Sequence, residues 1–191
     1  MSFDSNWEKE VYSKNKQINE YPFEWIVSSS KRYISKYKNK KVVELGSGTG
    51  NNLLFFNKLG FKEVVGIEGS KSAVKITRNK FKQIKNIKII LDDFTNTNFA
   101  NNYFDLCVDR GSITHNDKQD VKKIVNNIHK FLKPGGFFFS CLFSQEHYAY
   151  SKKKFFFKKE IKSNKGVIAS FFSENEIKEY FKKFKFASIV S

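Results

Sequence analysis

The chain has 191 residues, and 40% hydrophobic content with 22 phenylalanines excludes wholesale disorder and supports a single domain with a full core. No apolar run reaches the length of a membrane span, and the acid-bearing start (Ser2, Asp4, Glu8, Glu10) is unlike a signal peptide. A net charge of +16 invites an anionic partner, yet Lys, Asn, Phe and Ile are raised together, as an A/T-rich coding sequence would raise them, so much of that charge reads as solvated helix faces.

Residues 1–40 precede the first strand. Trp7, Tyr12, Lys16, Gln17, Asn19 and Tyr21 form an aromatic and polar stretch without an apolar stripe. A segment that carries Trp and Tyr but is not core often lies over a ligand; clipping to the core edge is an equal reading. Pro22 suits a helix's first turn, and Phe23, Ile26, Val27, Ser30, Ile34 and Tyr37 then recur at helical spacing.

Residues 42–50 read Val-Val-Glu-Leu-Gly-Ser-Gly-Thr-Gly: a β-branched run, a carboxylate, then glycines at alternate positions. This describes a buried parallel strand that enters a tight loop where a ligand comes close to backbone. Asn51 stands where the third glycine of a dinucleotide fingerprint would fall, and Glu44 suits a ligand bearing an ammonium group better than a pyrophosphate. The segment resembles motif I of the class I, S-adenosylmethionine-dependent methyltransferases. Val64 to Glu68 reads as a second strand that ends in an acid about 20 residues beyond the glycines. Ile87 to Leu91, followed by Asp92-Asp93-Phe94, resembles the third strand and its adenine-side end, and Phe104 to Asp109 the fourth strand. Leu132 to Gly136 resembles the turn that introduces the fifth.

The resemblance implies an α/β, Rossmann-like, mostly parallel sheet with helices on both faces, over residues 41–191, with 1–40 as a helical segment covering the cofactor and substrate site. It also implies S-adenosyl-L-methionine as cofactor. Glu44 with Gly46, Ser47, Gly48 and Gly50 would hold its methionine end. Glu68 would hold the ribose and Asp93 and Phe94 the adenine, with Gly69 and Asp109 as further cofactor-binding residues. The order Trp, Tyr, Gln, Asn, Tyr-Pro is similar, more weakly, to small methyltransferases of bacterial surface-polysaccharide synthesis, which makes Tyr12, Lys16 and Tyr21 candidate acceptor contacts.

Helices are expected over 50–59, 71–82, 117–131 and 174–184, the last opened by a capping box of Ser173 and Glu176. Cys107 and Cys141 fall in predicted strands and read as small core residues of a reducing compartment. The three dispersed histidines offer no metal-ligand spacing, so no metal is expected. A cytoplasmic location is the default. After the fourth strand come Arg110, one of three arginines, and His115. A guanidinium there suits a phosphate or carboxylate of the acceptor. His115 is the better-placed base and His147 the second; an ordinary structural role competes for each.

A Lys/Phe-rich insertion occupies about 150–170 and holds seven Lys and one Glu over 152–165. It reads as a substrate cap, a hairpin turning at Asn164-Lys165-Gly166, or a solvated surface. Phe186 to Val190 reads as a sixth strand; for the family's usual seventh, either the sequence is shortened or the sheet is expected to lack it. The expected activity is O-methylation of a small polar metabolite, neutral or anionic, such as a sugar, nucleotide-sugar or phosphorylated surface-polysaccharide precursor. The alternatives are an RNA or protein methyltransferase, or a non-catalytic cofactor-binding subunit. The Pro-Pro-Tyr and Pro-Cys signatures of nucleic-acid methylation are absent, which disfavours a nucleic-acid partner. Oligomeric state stays open, a free sheet edge offering one route to a dimer.

Overall fold

The computed structural model describes residues 3–147, 157–158, 160–161 and 169–188. Trp7–Tyr12 forms a π-helical turn, and helix α1 (Glu24–Tyr33) follows it. The chain then alternates β1 (Lys41–Leu45), α2 (Asn51–Leu59), β2 (Glu63–Glu68), α3 (Lys71–Lys80), β3 (Ile87–Leu91) and β4 (Phe104–Arg110). After a 3₁₀ turn at Ile113–His115 come α4 (Lys118–Phe131) and β5 (Leu132–Cys141). These five strands make one sheet in the order β3-β2-β1-β4-β5, with every pair parallel. The α/β fold expected from the alternation is the one observed.

Strand side chains alternate between faces, and each face has its own core. Val42, Val64, Leu106 and Val108 pack with Ile26 of α1 and Phe56 of α2. Val43, Val65 and Cys107 pack on the other face with Val121, Ile124 and Ile128 of α4. The chain leaves β1 toward β2 and β3, then returns to β1's other side with β4. That reversal opens a crevice at the carboxyl ends of β1 and β4, where ligands bind in open α/β sheets.

Several boundaries differ from the sequence reading. Helix α1 stops at Tyr33, because Ile34 turns to extended backbone (φ −110°, ψ 118°) and Tyr37 enters a separate 3₁₀ turn. Helix α3 ends at Lys80 and leaves Phe81 buried against Thr77 and the glycine loop. The last helix, α5 (Glu174–Tyr180), carries the capping box but ends early, and Phe181 and Phe184 fold back on Phe138 of β5.

Short strands complete the described chain: β6 (Phe143–Ser144) runs parallel to β9 (Phe171–Phe172), and β7 (Phe157–Lys158) pairs antiparallel with β8 (Glu160–Ile161). The expected turn at 164–166 lies outside the described residues, as do Lys152 to Lys154. The expected sixth strand over Phe186 to Val190 is a correction. Residues 186–188 are not strand; Phe186 is exposed and Ser188 accepts a hydrogen bond from the Tyr33 hydroxyl, while 189 and 190 lie outside the described residues. No described helix is long and apolar enough to cross a membrane.

Candidate active site

The glycine loop between β1 and α2 forms one wall of the crevice. Gly46, Gly48 and Gly50 all have positive φ. The loop is anchored from below: the Ser47 N–H donates to the Ile67 carbonyl at 3.0 Å, and the Gly48 N–H donates to Glu68 Oε2 at 2.8 Å. A Cβ on Gly46 would lie 2.2 Å from Ser112 Oγ, whose hydroxyl donates to the Leu45 carbonyl at 2.7 Å. The loops after β1 and β4 therefore close on each other at the position where only glycine fits.

Three carboxyl groups are buried beside this loop. Glu44 is pushed up to about 8, chiefly by burial, and Asp109 and Glu68 add to this against the Asn52 hydrogen bond and the Arg110 charge. Its Oε1 accepts the Asn52 side-chain N–H at 2.6 Å, whereas Oε2 has no protein partner. Glu68 is raised by burial, opposed by the N–H groups of Ser70, Gly48 and Gly69. Asp109 is raised to about 6 by burial, against the donors that saturate it. Its Oδ1 accepts the Ser112 and Ile113 N–H groups, and its Oδ2 accepts the Ser140 hydroxyl.

The N-terminal segment makes the opposite wall. Glu8 grips the start of α3, accepting the hydroxyls of Ser70 (2.5 Å) and Ser72 (2.6 Å) and the Ser72 N–H (3.1 Å). That grip holds Trp7 edge-on to His115, with ring centres 4.8 Å apart, and His115 in turn lies edge-on to Phe143 at 5.8 Å. The Phe3 N–H donates to Asp93 Oδ2 at 3.1 Å, and the Phe3 ring fills the space over Gly69, where a Cβ would lie 2.3 Å from it. The Tyr12 hydroxyl occupies the corresponding space over Gly48, its ionisation pushed up by burial and by Glu68 and Glu44.

The crevice brings together most of the residues singled out from sequence. Glu44, Gly46, Ser47 and Gly48 line it with Glu68 and Gly69. Asp93, Phe94, Tyr12, Arg110 and His115 also line it. Five others lie elsewhere. Gly50 faces Phe81 and Thr77, and Asp109 points to the opposite face of the sheet, where it holds the turn after β4. Lys16 is exposed, and so is Tyr21, which supplies its carbonyl to the Asn51 side chain. His147 stacks on Phe143 behind the crevice. Sequence reading missed Phe3, Asn52, Ser112, Asn116 and Phe143 as lining residues. Asn52 had a usable signal: an amide in the first turn of the helix that follows the glycine loop, eight residues from a buried acid.

A buried carboxylate oxygen without a partner, on a residue that lines the crevice with the glycine loop, fits a ligand with an ammonium group. The acids and ring at Asp92 to Phe94 fit a nucleoside edge farther along. Residues 42–136 match the methyltransferase domain family. Over this stretch the chain is similar to the class I methyltransferase domains. S-adenosylmethionine is the cofactor of that class.

The chain is 32% identical over 119 residues to EEF1A lysine methyltransferase 2 of Danio rerio, covering 57% of this chain and 51% of that protein. It is 27% identical over 99 residues to phosphoethanolamine N-methyltransferase of Plasmodium falciparum, covering 52% of this chain and 37% of that protein. The chain thus spans about half the length, or less, of these curated relatives. Among solved structures, an S-adenosylmethionine-dependent methyltransferase of Methanosarcina mazei superposes with a TM-score of 0.69 at 17% identity, covering 85% of this chain and 84% of that one. That likeness concerns the fold. Neither curated relative is named for polysaccharide synthesis, so that expected association has no support from them.

Proposed function

We propose that the protein transfers the methyl group of S-adenosylmethionine to an amine nitrogen. The carrying observation is the aromatic corner of Trp7, His115 and Phe143, which remains as crevice wall once the glycine loop, Glu44, Glu68 and Asp93 are assigned to the cofactor. Ring faces attract an alkylammonium group and exclude water from it. The two curated relatives carry names for methylation at lysine and at the nitrogen of phosphoethanolamine, which moves the reading from the hydroxyl acceptor expected at first toward an amine.

When bound, the cofactor supplies an electrophilic methyl group on a positively charged sulfur. The chain's own part is to orient and to move protons. Glu44 Oε2 would hold an ammonium, and Glu68, while bracing the loop, keeps lone pairs for hydroxyls. His115, on the wall after β4, would receive the proton the acceptor gives up. Arg110 lies over the Phe23 ring at 3.7 Å and presents a planar cation to an acceptor's phosphate or carboxylate.

The test is formation of S-adenosylhomocysteine from S-adenosylmethionine with phosphoethanolamine, a lysine peptide and a set of sugars, with the methylated atom located by NMR. Methylation of either amine, with the sugars inert, supports the reading. A sugar or other hydroxyl product would restore the O-methyltransferase reading, with His115 as base.

A further inference from the structure

Asn52 touches both halves of the crevice. It is buried in the first turn of α2, and its Nδ2 donates to Glu44 Oε1 at 2.6 Å. Its Oδ1 accepts the backbone N–H of Phe23 at 3.1 Å. Phe23 in turn carries the Arg110 guanidinium on its ring. A backbone N–H can only donate and an ionised carboxylate can only accept, so the amide has one workable orientation. Sheet register explains why the chain of contacts closes. Glu44 pairs with Val108, so Arg110 emerges two residues on, on the same face as Glu44 and α2.

We propose that Asn52 is a positioning residue that ties the acceptor-side platform of Phe23 and Arg110 to the cofactor-side carboxylate of Glu44. Filling the cofactor site thereby fixes where the acceptor's anchoring groups stand. The inference rests on the reading that a cofactor ammonium lies at Glu44 Oε2. A carboxylate that takes an ammonium is held ionised, and an ionised acceptor strengthens the Asn52 donation at its other oxygen. A firmer Asn52 is a firmer acceptor for the Phe23 N–H. The charged and titratable groups that act on Glu44 are Asp109 and Glu68, which oppose its ionisation, and Arg110, which favours it; Tyr12 stands close enough to be raised by Glu44.

The experiment measures S-adenosylhomocysteine affinity against pH by calorimetry, together with hydrogen exchange at the Phe23 amide with and without that ligand. It uses the full chain, Asn52→Ala, Asn52→Asp, Glu44→Gln and the Glu44→Gln/Asn52→Ala pair. The wild type should bind more tightly as pH rises through Glu44's ionisation, and bound ligand should slow Phe23 exchange about tenfold or more. Asn52→Ala should weaken binding about tenfold at neutral pH, the scale of a lost charged hydrogen bond. It should also move the pH profile upward and abolish the ligand's effect on Phe23. Asn52→Asp keeps the shape and an acceptor for Phe23 but loses the donor to Glu44, so it should also move the profile upward even if the alanine variant folds poorly. In the Glu44→Gln background, Asn52→Ala should leave the pH profile unchanged. A wild-type pH profile and wild-type protection of Phe23 in ligand-saturated Asn52→Ala or Asn52→Asp would overturn the coupling. Failure of the wild type to bind S-adenosylhomocysteine would instead overturn the cofactor reading beneath it.

Discussion

Glu68 and Gly48, 20 residues apart, are joined by a 2.8 Å hydrogen bond from the glycine's N–H to the carboxylate. The other oxygen of Glu68 accepts the Ser70 N–H, also at 2.8 Å. The acid at the end of β2 is therefore part of the glycine loop's own scaffold. Glu68→Ala should weaken S-adenosylhomocysteine binding by about 1 to 3 kcal/mol and also lower thermal stability, because two buried N–H groups lose their acceptor. Calorimetry and melting curves should both move; a loss of affinity with an unchanged melting temperature would count against the scaffolding role.

Glu44 should make stability depend on pH. Its folded value, about 8, lies above the ordinary carboxyl value of 4.5, so the native state keeps a proton that the unfolded chain releases. That contribution is fully present below about 4.5 and is lost as pH rises through about 8. Asp109, raised to about 6, adds a loss in the same direction at lower pH. Glu44→Gln should flatten the upper part of this decline and melt higher than wild type near pH 8, while binding cofactor less tightly. Melts across pH 5 to 9 without ligand would check both effects.

The roles proposed for the aromatic corner and for His115 can be separated by substitution. His115→Ala should lower the turnover number by about 10² to 10⁴, the range for losing a positioned base, with S-adenosylhomocysteine affinity little changed. Trp7→Ala should instead act on the acceptor's Michaelis constant, by roughly three- to thirtyfold if a desolvated cation–π contact is lost. Trp7→Phe should recover much of that loss. Turnover of His115→Ala within a few-fold of wild type would leave His115 as a ring in the wall.

Gly50→Ala tests the entry to α2. Gly50 has φ +77°, and an added Cβ would lie 2.6 Å from Phe81 Cε2 and 2.8 Å from Thr77 Cγ2. Left-handed strain alone costs about 1 to 2 kcal/mol, and displacing buried neighbours adds to it. A drop in melting temperature of roughly 5 °C or more is expected at this chain length. Gly60→Ala, which has positive φ but open space, should cost less.

The sheet was legible because its signals are local: β-branched runs, glycines at fixed spacing and acids at strand ends all sit within a few residues of one another. The glycine-loop half of the crevice followed, since Glu44, Gly48 and Glu68, which line it, belong to those same runs. Asp109 shows the limit. Its place at the end of β4 is readable, but which face it points to depends on register with β1, and there it caps the turn at Ser112 and Ile113. The opposite half depends on contacts between distant segments, such as Trp7 with His115 and Phe23 with Arg110. No periodicity within either segment encodes such a meeting. The strand expected at Phe186 failed similarly: Phe184, just before it, packs on Phe138 of β5 and on Phe181, and no local alternation encodes the contact with β5.

The central position of β1 also dictates when during folding the crevice can exist. Val42 meets Val64 across a single helical crossover, but it must also meet Leu106, far along the chain. Pairings between distant segments carry the larger loop-closure cost and form more slowly. The β1-β2-β3 unit can therefore gather early with the glycine loop and Glu68 in it, while Arg110, Ser112 and His115 arrive only when β4 docks. A nascent chain released before β4 would hold the glycine-loop half of the crevice and lack the wall that Arg110, Ser112 and His115 supply. Ligand that binds only the finished crevice would pull the equilibrium toward the docked state in proportion to its concentration.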